Sequence, residues 1–173
     1  MKIRSEWEFD CEPRHVWPHF LKAKMDDTRP ILFNLGIPKP LSCKVLEGAP
    51  QVGATRQCTT DRGTINQNIE ALEPNQRLRY RMKESTVWCR HWVDYLEDTF
   101  ALTSLPNGRT RVERVTRFSA QGRFAALKTL GMWVSLKQAH AYASRNWRRL
   151  AYEMKRAEEG SKALEQVRQH VSA

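Results

Sequence analysis

His140 is the residue of this sequence best suited to proton transfer, because an imidazole can accept or donate a proton near neutral pH. It belongs to a set of residues that recur at steps of four and three, the spacing of one helical face: Leu136, His140, Ala143, Trp147, Leu150 and Met154. A single histidine on an apolar face is more often a structural core residue. Catalysis, hydrogen bonding to a ligand and a structural role therefore all stay open for His140.

Two strand patterns carry polar groups on an apolar face. Gln67 alternates in phase with Ile65 and Ile69, so its amide is expected to point inward. Tyr80 is in phase with Met82 on the following strand, where its hydroxyl either orients a ligand or sits at the rim of an ordinary core.

Arg56 presents a sharper choice, because it shares strand parity with Ala54 and Cys58. An inward arginine costs several kcal/mol unless a carboxylate or a ligand anion pairs with it. Arg56 is therefore either an anchor for an acidic group or an outward residue whose parity is broken by a bulge.

A later strand pattern contains both aromatic and acidic residues. Trp88, Trp92 and Tyr95 could line the mouth of a cavity and stack on flat ligands. Asp94 and Asp98 are in phase with Trp92, and their face meets either cavity or solvent.

Turn residues divide the elements that must position these groups. The first strand pattern contains Ile3, Trp7 and Phe9. Six further strand patterns follow, over residues 42–47, 53–60, 64–72, 77–82, 92–102 and 110–118. Asp61-Arg62-Gly63, Glu73-Pro74-Asn75 and Pro106-Asn107-Gly108 can each reverse the chain, so the sheet is predicted to be antiparallel.

Helical spacing predicts one short amphipathic helix over 13–24 and a long helix within 122–160, with Gly160 as a stop and Gly131 as its start or a break. Three prolines make 26–40 a broken helix or loop, a candidate lid over apolar surface. The tail 161–173 is expected to fray.

Composition sets the outer limits of function. The 29 Lys and Arg against 19 Asp and Glu give a net charge of +10, but Arg77, Arg79 and Arg81 alternate with apolar residues and indicate a solvated strand face rather than a nucleic-acid stripe. We find no signal peptide, no apolar run long enough to span a membrane, and no phosphate-loop, zinc-protease or serine-hydrolase motif. A cytoplasmic protein without a cofactor or metal, monomeric or homodimeric, is predicted.

The four cysteines, Cys11, Cys43, Cys58 and Cys89, are far apart and lack zinc-site spacing. We interpret them as reduced packing residues, because a chain without a secretory signal is expected to stay in a reducing compartment.

Several short strings, taken in order, resemble a known superfamily. They are Glu12-Pro13 with His15-Val16-Trp17, Gly53-Ala54-Thr55-Arg56, Ile69-Glu70-Ala71-Leu72-Glu73-Pro74, Arg77-Leu78-Arg79-Tyr80 and Trp147-Arg148-Arg149-Leu150. Their order and spacing over residues 1–160 resemble the START-like (SRPBCC) superfamily, and within it the polyketide cyclase/dehydrase and lipid-transport group.

The resemblance implies an α+β helix-grip domain over 1–160. In this fold a seven-stranded antiparallel sheet wraps around a long C-terminal helix over a hydrophobic cavity, with two short helices after strand 1. It also implies an apolar small-molecule ligand such as a lipid, polyketide or aromatic compound. The predicted ligand-binding residues are Arg56, Gln67, Ile69, Tyr80, Met82, Trp92, Leu136, His140 and Ala143.

Two other functions stay open. One is a cyclase or dehydratase that uses the same cavity, with His140 as the candidate catalytic residue. The other is docking of the basic surface to RNA, a ribosome or an acidic protein, which predicts binding that weakens steeply with salt.

Overall fold

An antiparallel sheet curls around one long helix in the computed structural model, which describes residues 1–171. Within these residues the strands are β1 (Lys2–Phe9), β2 (Ala23–Lys24), β3 (Pro40–Val45), β4 (Thr55–Thr60), β5 (Gly63–Glu73), β6 (Arg77–Ser85), β7 (Val93–Leu105) and β8 (Arg109–Ala120). The helices are α1 (Pro13–Val16), α2 (Pro18–Leu21), α3 (Ile31–Asn34) and α4 (Ala125–Val171). The strand order is β1-β8-β7-β6-β5-β4-β3-β2, and every neighbouring pair is antiparallel.

The predicted helix-grip fold is confirmed, but the strand count of seven was wrong. The described chain forms an eight-stranded sheet, because Ala23 and Lys24 pair with Cys43 and Ser42 and add a two-residue strand at the edge. So short a strand has no periodicity of its own, and only its pairing with β3 defines it.

The predicted reversals occur where the turn chemistry placed them. Asn107 and Gly108 both have positive φ, 62° and 66°, as expected for the tight turn between β7 and β8. Gly63 begins β5 with φ 131°, and a Cβ there would lie 2.7 Å from the Thr86 hydroxyl oxygen. Only glycine fits this position without displacing its neighbours.

The single helix predicted over 13–24 is wrong, because Pro18 divides it. Proline lacks an amide proton and its ring clashes with the carbonyl four residues earlier, so α1 ends at Val16 and α2 starts at Pro18. The segment 26–40 contains the third short helix, α3. The chain therefore has three short helices after β1 where two were predicted.

The long helix α4 begins at Ala125 and passes through both Gly131 and Gly160, so the predicted stop at Gly160 is wrong. Gly160 does not adopt the positive φ of a helix-ending glycine, and the helix formers around it outweigh its cost of about 1 kcal/mol. Its 47 residues give α4 a length of about 70 Å. No helix in the described part of the chain combines the length and apolar composition needed to cross a membrane.

Trp147 is the centre of the aromatic core between the sheet and α4. Its ring makes edge contacts with Phe20, Phe100 and Trp7 at centroid distances of 4.9, 5.5 and 6.1 Å. The predicted helical stripe is buried or half-buried from Leu136 to Leu150, but the Met154 side chain is 41% exposed. The apolar stripe was therefore predicted one turn too long.

The outer face of β6 carries the arginines that were predicted to face solvent. Arg77 and Arg81 are exposed and Arg79 is half-buried. Glu70 on β5 accepts ion pairs from Arg79 at 3.2 Å and from Arg81 at 3.0 Å. Cross-strand pairs of opposite charge thus neutralise part of this face.

Replacing Trp147 by alanine is expected to lower the free energy of unfolding by about 3–5 kcal/mol, because it removes the aromatic side chain at the centre of the core. Urea denaturation monitored by far-UV circular dichroism measures the change. Trp88→Ala is the control: this side chain is 51% exposed, and about 1 kcal/mol or less should be lost. Equal losses in both variants would contradict the assignment of the core.

Candidate functional site

A cavity of about 360 Å³ lies between the concave face of the sheet and α4, and its lining is predominantly apolar. Strands β3 to β8 supply one wall, residues 35–40 supply a second, and the helix face from Gly131 to Trp147 supplies a third. The volume falls in the range of small-molecule sites.

Most of the predicted ligand-binding residues line this cavity: Arg56, Gln67, Tyr80, Met82, Trp92, Leu136 and Ala143. Ile69 and His140 are not part of the lining. Ile69 is packed into the core at 1% exposure, and His140, also 1% exposed, lies behind the wall.

The structure adds an ion pair that sequence reasoning missed. Asp98 faces the cavity, which resolves the choice left open for its strand face, whereas Asp94 is exposed and accepts a hydrogen bond from Ser119. The pairing of β7 with β8 shifts register between Val93 and Tyr95, close to Asp94. Arg114 also lines the cavity.

Arg114 binds Asp98 through two parallel hydrogen bonds of 2.9 Å, from Nε and Nη2 to the two carboxylate oxygens. Burial alone would raise the pKa of Asp98, but the Arg114 guanidinium and the hydroxyl of Thr116 outweigh it and lower the pKa below its usual value. Asp98 is therefore a buried, ionised and neutralised carboxylate.

His140 extends this pair into a hydrogen-bonded chain. The Thr116 hydroxyl donates to Asp98, so its oxygen must accept from His140 Nε2 at 2.7 Å. His140 Nδ1 then accepts from the Ser5 hydroxyl at 2.9 Å. Burial, with the nearby charge of Arg114, lowers the pKa of His140 to about 3, so the ring is neutral at physiological pH.

Arg56 points into the cavity, so the inward alternative of the sequence argument holds. Its Nη1 donates to Gln67 Oε1 at 2.6 Å, and the guanidinium lies 4.5 Å above the ring of Tyr80. Burial lowers the pKa of Arg56, yet a guanidinium stays protonated at neutral pH. Its Nε, also buried, has no hydrogen-bond partner among residues 1–171.

The Tyr80 hydroxyl is engaged elsewhere, because it donates to the backbone oxygen of Phe20 on α2 at 2.5 Å. Burial raises the pKa of Tyr80 to about 12. Tyr80 therefore offers the cavity its ring rather than its hydroxyl.

The exposed residues of the cavity lining are Leu35, Trp88, Arg90 and Gly131, and we call this part of the lining the mouth of the cavity. Trp88 and Trp92 line the cavity and pack edge to face with centroids 5.0 Å apart, whereas Tyr95 donates to Glu97 outside the lining. Trp88 Nε1 also donates to the backbone oxygen of Gly36, and this bond ties the segment 26–40 to the mouth. Opening of this segment as a lid stays a prediction.

Two of the cysteines correct the sequence interpretation. Cys43 on β3 and Cys58 on β4 occupy directly paired positions and form a disulfide in the cavity wall, so the expectation that all four are reduced was wrong for this pair. Cys11 and Cys89 are free. Spacing along the chain could not reveal the bond, because strand register alone brings the two residues together.

Solved structures of other proteins share this fold over nearly their whole length. The ZhuI aromatase/cyclase from Streptomyces sp. R1128 superposes with a TM-score of 0.63 at 14% identity, over 90% of this chain and 94% of that one. Ara h 8.0201 has a TM-score of 0.59 at 12% identity, over 89% and 97%. Protein MLL2253 from Mesorhizobium loti has a TM-score of 0.62 at 17% identity, over 88% and 98%. The chain has the helix-grip fold of these structures.

No family model and no curated protein sequence matches this chain. In the described part of the chain, no cluster of three or more His, Cys, Asp or Glu side chains is arranged to hold a metal ion.

Replacing His140 by glutamine is expected to flatten the pH dependence of folding stability between pH 6.5 and 5. The folded pKa of about 3 lies below the unfolded value near 6.5, so the unfolded chain binds more protons. Stability therefore decreases as the pH is lowered, with a slope that grows from about 0.7 kcal/mol per pH unit at pH 6.5 to about 1.4 near pH 5. Urea denaturation across this range measures the slope. Parallel pH profiles for the two proteins would contradict a buried neutral His140.

Proposed function

We propose that this START-like domain binds an apolar, ring-bearing small molecule that carries an acidic group. The apolar walls and the tryptophans of the lining accommodate the ring system. The Arg56 guanidinium pairs with the acidic group, and Gln67 holds the guanidinium in place.

The observation that carries the proposal is the charge balance of the cavity lining. Arg114 and Asp98 neutralise each other, whereas Arg56 forms no ion pair with a carboxylate among the described residues. An arginine of 5% exposure with an unpartnered Nε is costly unless an anion joins it. A carboxylate or phenolate on the ligand supplies that anion.

Acid–base catalysis finds less support than binding. Efficient proton transfer needs a pKa near the working pH. The lining residues Asp98, Tyr80 and Cys89 have their pKa moved away from neutrality by burial and by their neighbours. His140 is neutral and lies behind the wall. None of these four residues is therefore suited to transfer a proton in a cyclase or dehydratase step at the cavity.

Docking of the basic sheet face to RNA also lacks support. The outer arginines of β1, β6 and β8 are interleaved with carboxylates, as in Arg4–Glu113 at 2.5 Å and Arg111–Glu8 at 3.0 Å. A phosphate backbone would meet alternating charges there rather than a continuous positive stripe.

The proposal is tested with 2-naphthoate and its uncharged methyl ester, which share one ring system. The wild-type protein is expected to bind the acid more tightly, because a hydrogen-bonded ion pair with Arg56 contributes about 1.5–3 kcal/mol. Arg56→Met keeps the apolar bulk and should weaken acid binding by about 10–100-fold, measured by isothermal titration calorimetry.

Arg90→Met is the matched control, because Arg90 also lines the cavity but is exposed. It should change acid binding by about threefold or less. Ester binding should survive both substitutions. Equal weakening of the acid by both variants would show a general charge effect, and no binding of either compound to the wild type would overturn the small-molecule proposal.

A further inference from the structure

The start of α4 exposes an unusual concentration of large apolar side chains. We define the α4 patch as five residues, whose exposed fractions are 66% for Phe124, 68% for Leu127, 55% for Leu130, 37% for Trp133 and 38% for Val134. Leu127, Leu130 and Val134 follow at steps of three and four, so they share one side of α4, and Phe124 immediately precedes the helix. Contiguous exposed apolar surface of this kind marks an interaction site.

The backbone holds one member of the α4 patch in a costly conformation. Phe124 has φ 63°, in the left-handed region that bulky residues rarely adopt. Its ring stays exposed, and the Arg123 guanidinium lies 5.1 Å from the ring centroid as a cation–π partner. Strain that keeps an aromatic ring in solvent points to a functional role rather than a packing role.

The α4 patch belongs to the same stretch of helix as one wall of the cavity but faces away from the cavity. Met132, Ser135 and Leu136 line the cavity, whereas none of the five patch residues does. Successive helical residues are turned by about 100°, so Leu127, Leu130 and Val134 lie on the other side of α4 from these lining residues. The α4 patch is therefore a surface distinct from the cavity.

The charged residues within and next to the α4 patch in the sequence are all basic. They are Arg123, Lys128 and Lys137, and no Asp or Glu occurs between Glu113 and Glu153. Lys137 lies over the Trp133 ring at 5.7 Å, so positive charge and exposed aromatic surface are adjacent.

We propose that the α4 patch docks on an anionic lipid bilayer. Apolar side chains flanked by Lys and Arg, with no acidic residue among them, match the apolar interior and negative headgroups of such a bilayer. The exposed aliphatic and aromatic side chains enter the headgroup region, and the basic residues contact the headgroups. This surface is separate from the Arg56 anchor, so either proposal can fail without the other.

The test is sedimentation of the full chain with vesicles of phosphatidylcholine, or of equimolar phosphatidylcholine and phosphatidylglycerol. The wild type is expected to bind the anionic vesicles, to release them as salt rises, and to leave the neutral vesicles unbound. Leu127→Glu with Leu130→Glu should weaken binding by about tenfold or more, because it places charge on the inserted face.

Leu164→Glu with Val167→Glu is the matched control. It adds the same two negative charges to the same helix at side chains that are 69% and 62% exposed, far from the cavity. Binding within about threefold of the wild type is expected, because charge distant from the docked surface is screened. Far-UV circular dichroism and melting temperature should be unchanged in both variants, since all four positions are exposed.

Three results would overturn the proposal. The first is that the wild type does not sediment with anionic vesicles at low salt, or binds neutral vesicles equally well. The second is that both double variants lose binding to the same extent, which assigns the effect to net charge. The third is a concentration-dependent dimer that only the Leu127 and Leu130 double variant disrupts, without vesicle binding, which assigns the α4 patch to a second copy of the chain.

Discussion

The ion pair between Asp98 and Arg114 is the constraint on which the arrangement of sheet and helix depends. A carboxylate buried this deeply is stable only when a positive charge and hydrogen-bond donors surround it. Arg114 lies on β8. From Asp98 the series of hydrogen bonds continues to Thr116, then to His140 on α4 and to Ser5 on β1. One connected set of polar contacts thereby fixes how α4 lies across two neighbouring strand pairs, a specificity that apolar packing alone would not provide.

The same pair leaves the second buried arginine of the lining, Arg56, without an ion pair among the described residues. Asp98 acts on Arg56 only through space, because its carboxylate oxygens are bound by Arg114 and Thr116. Gln67 orients the Arg56 guanidinium without neutralising it. The two buried arginines thus differ: Arg114 is neutralised within the fold, and Arg56 is the anchor proposed for an acidic ligand.

Periodicity and turn chemistry made much of the fold predictable, because they are local properties. The alternating strands, the Asn107-Gly108 turn and the START-like order of elements could all be predicted from the residues. Asp98 could not be assigned to cavity or solvent, since a charged residue in an alternating strand fits either face until the neighbouring strand supplies its partner. The disulfide between Cys43 and Cys58 depends likewise on register, a non-local property that spacing in the sequence does not encode.

Because α4 extends beyond the sheet, its distal end and its packed part differ in local stability. Side chains 160–169 are all exposed, so this end of the helix is held mainly by its own backbone hydrogen bonds and by ion pairs such as Glu158–Lys162. Its amides exchange with solvent deuterium through local helix–coil opening, whereas those beside Trp147 exchange only when the core opens. The distal turns of α4 therefore serve as an internal reference for hydrogen exchange. A compound in the cavity slows amide exchange around the core and leaves the exchange rates of the distal turns of the same helix unchanged.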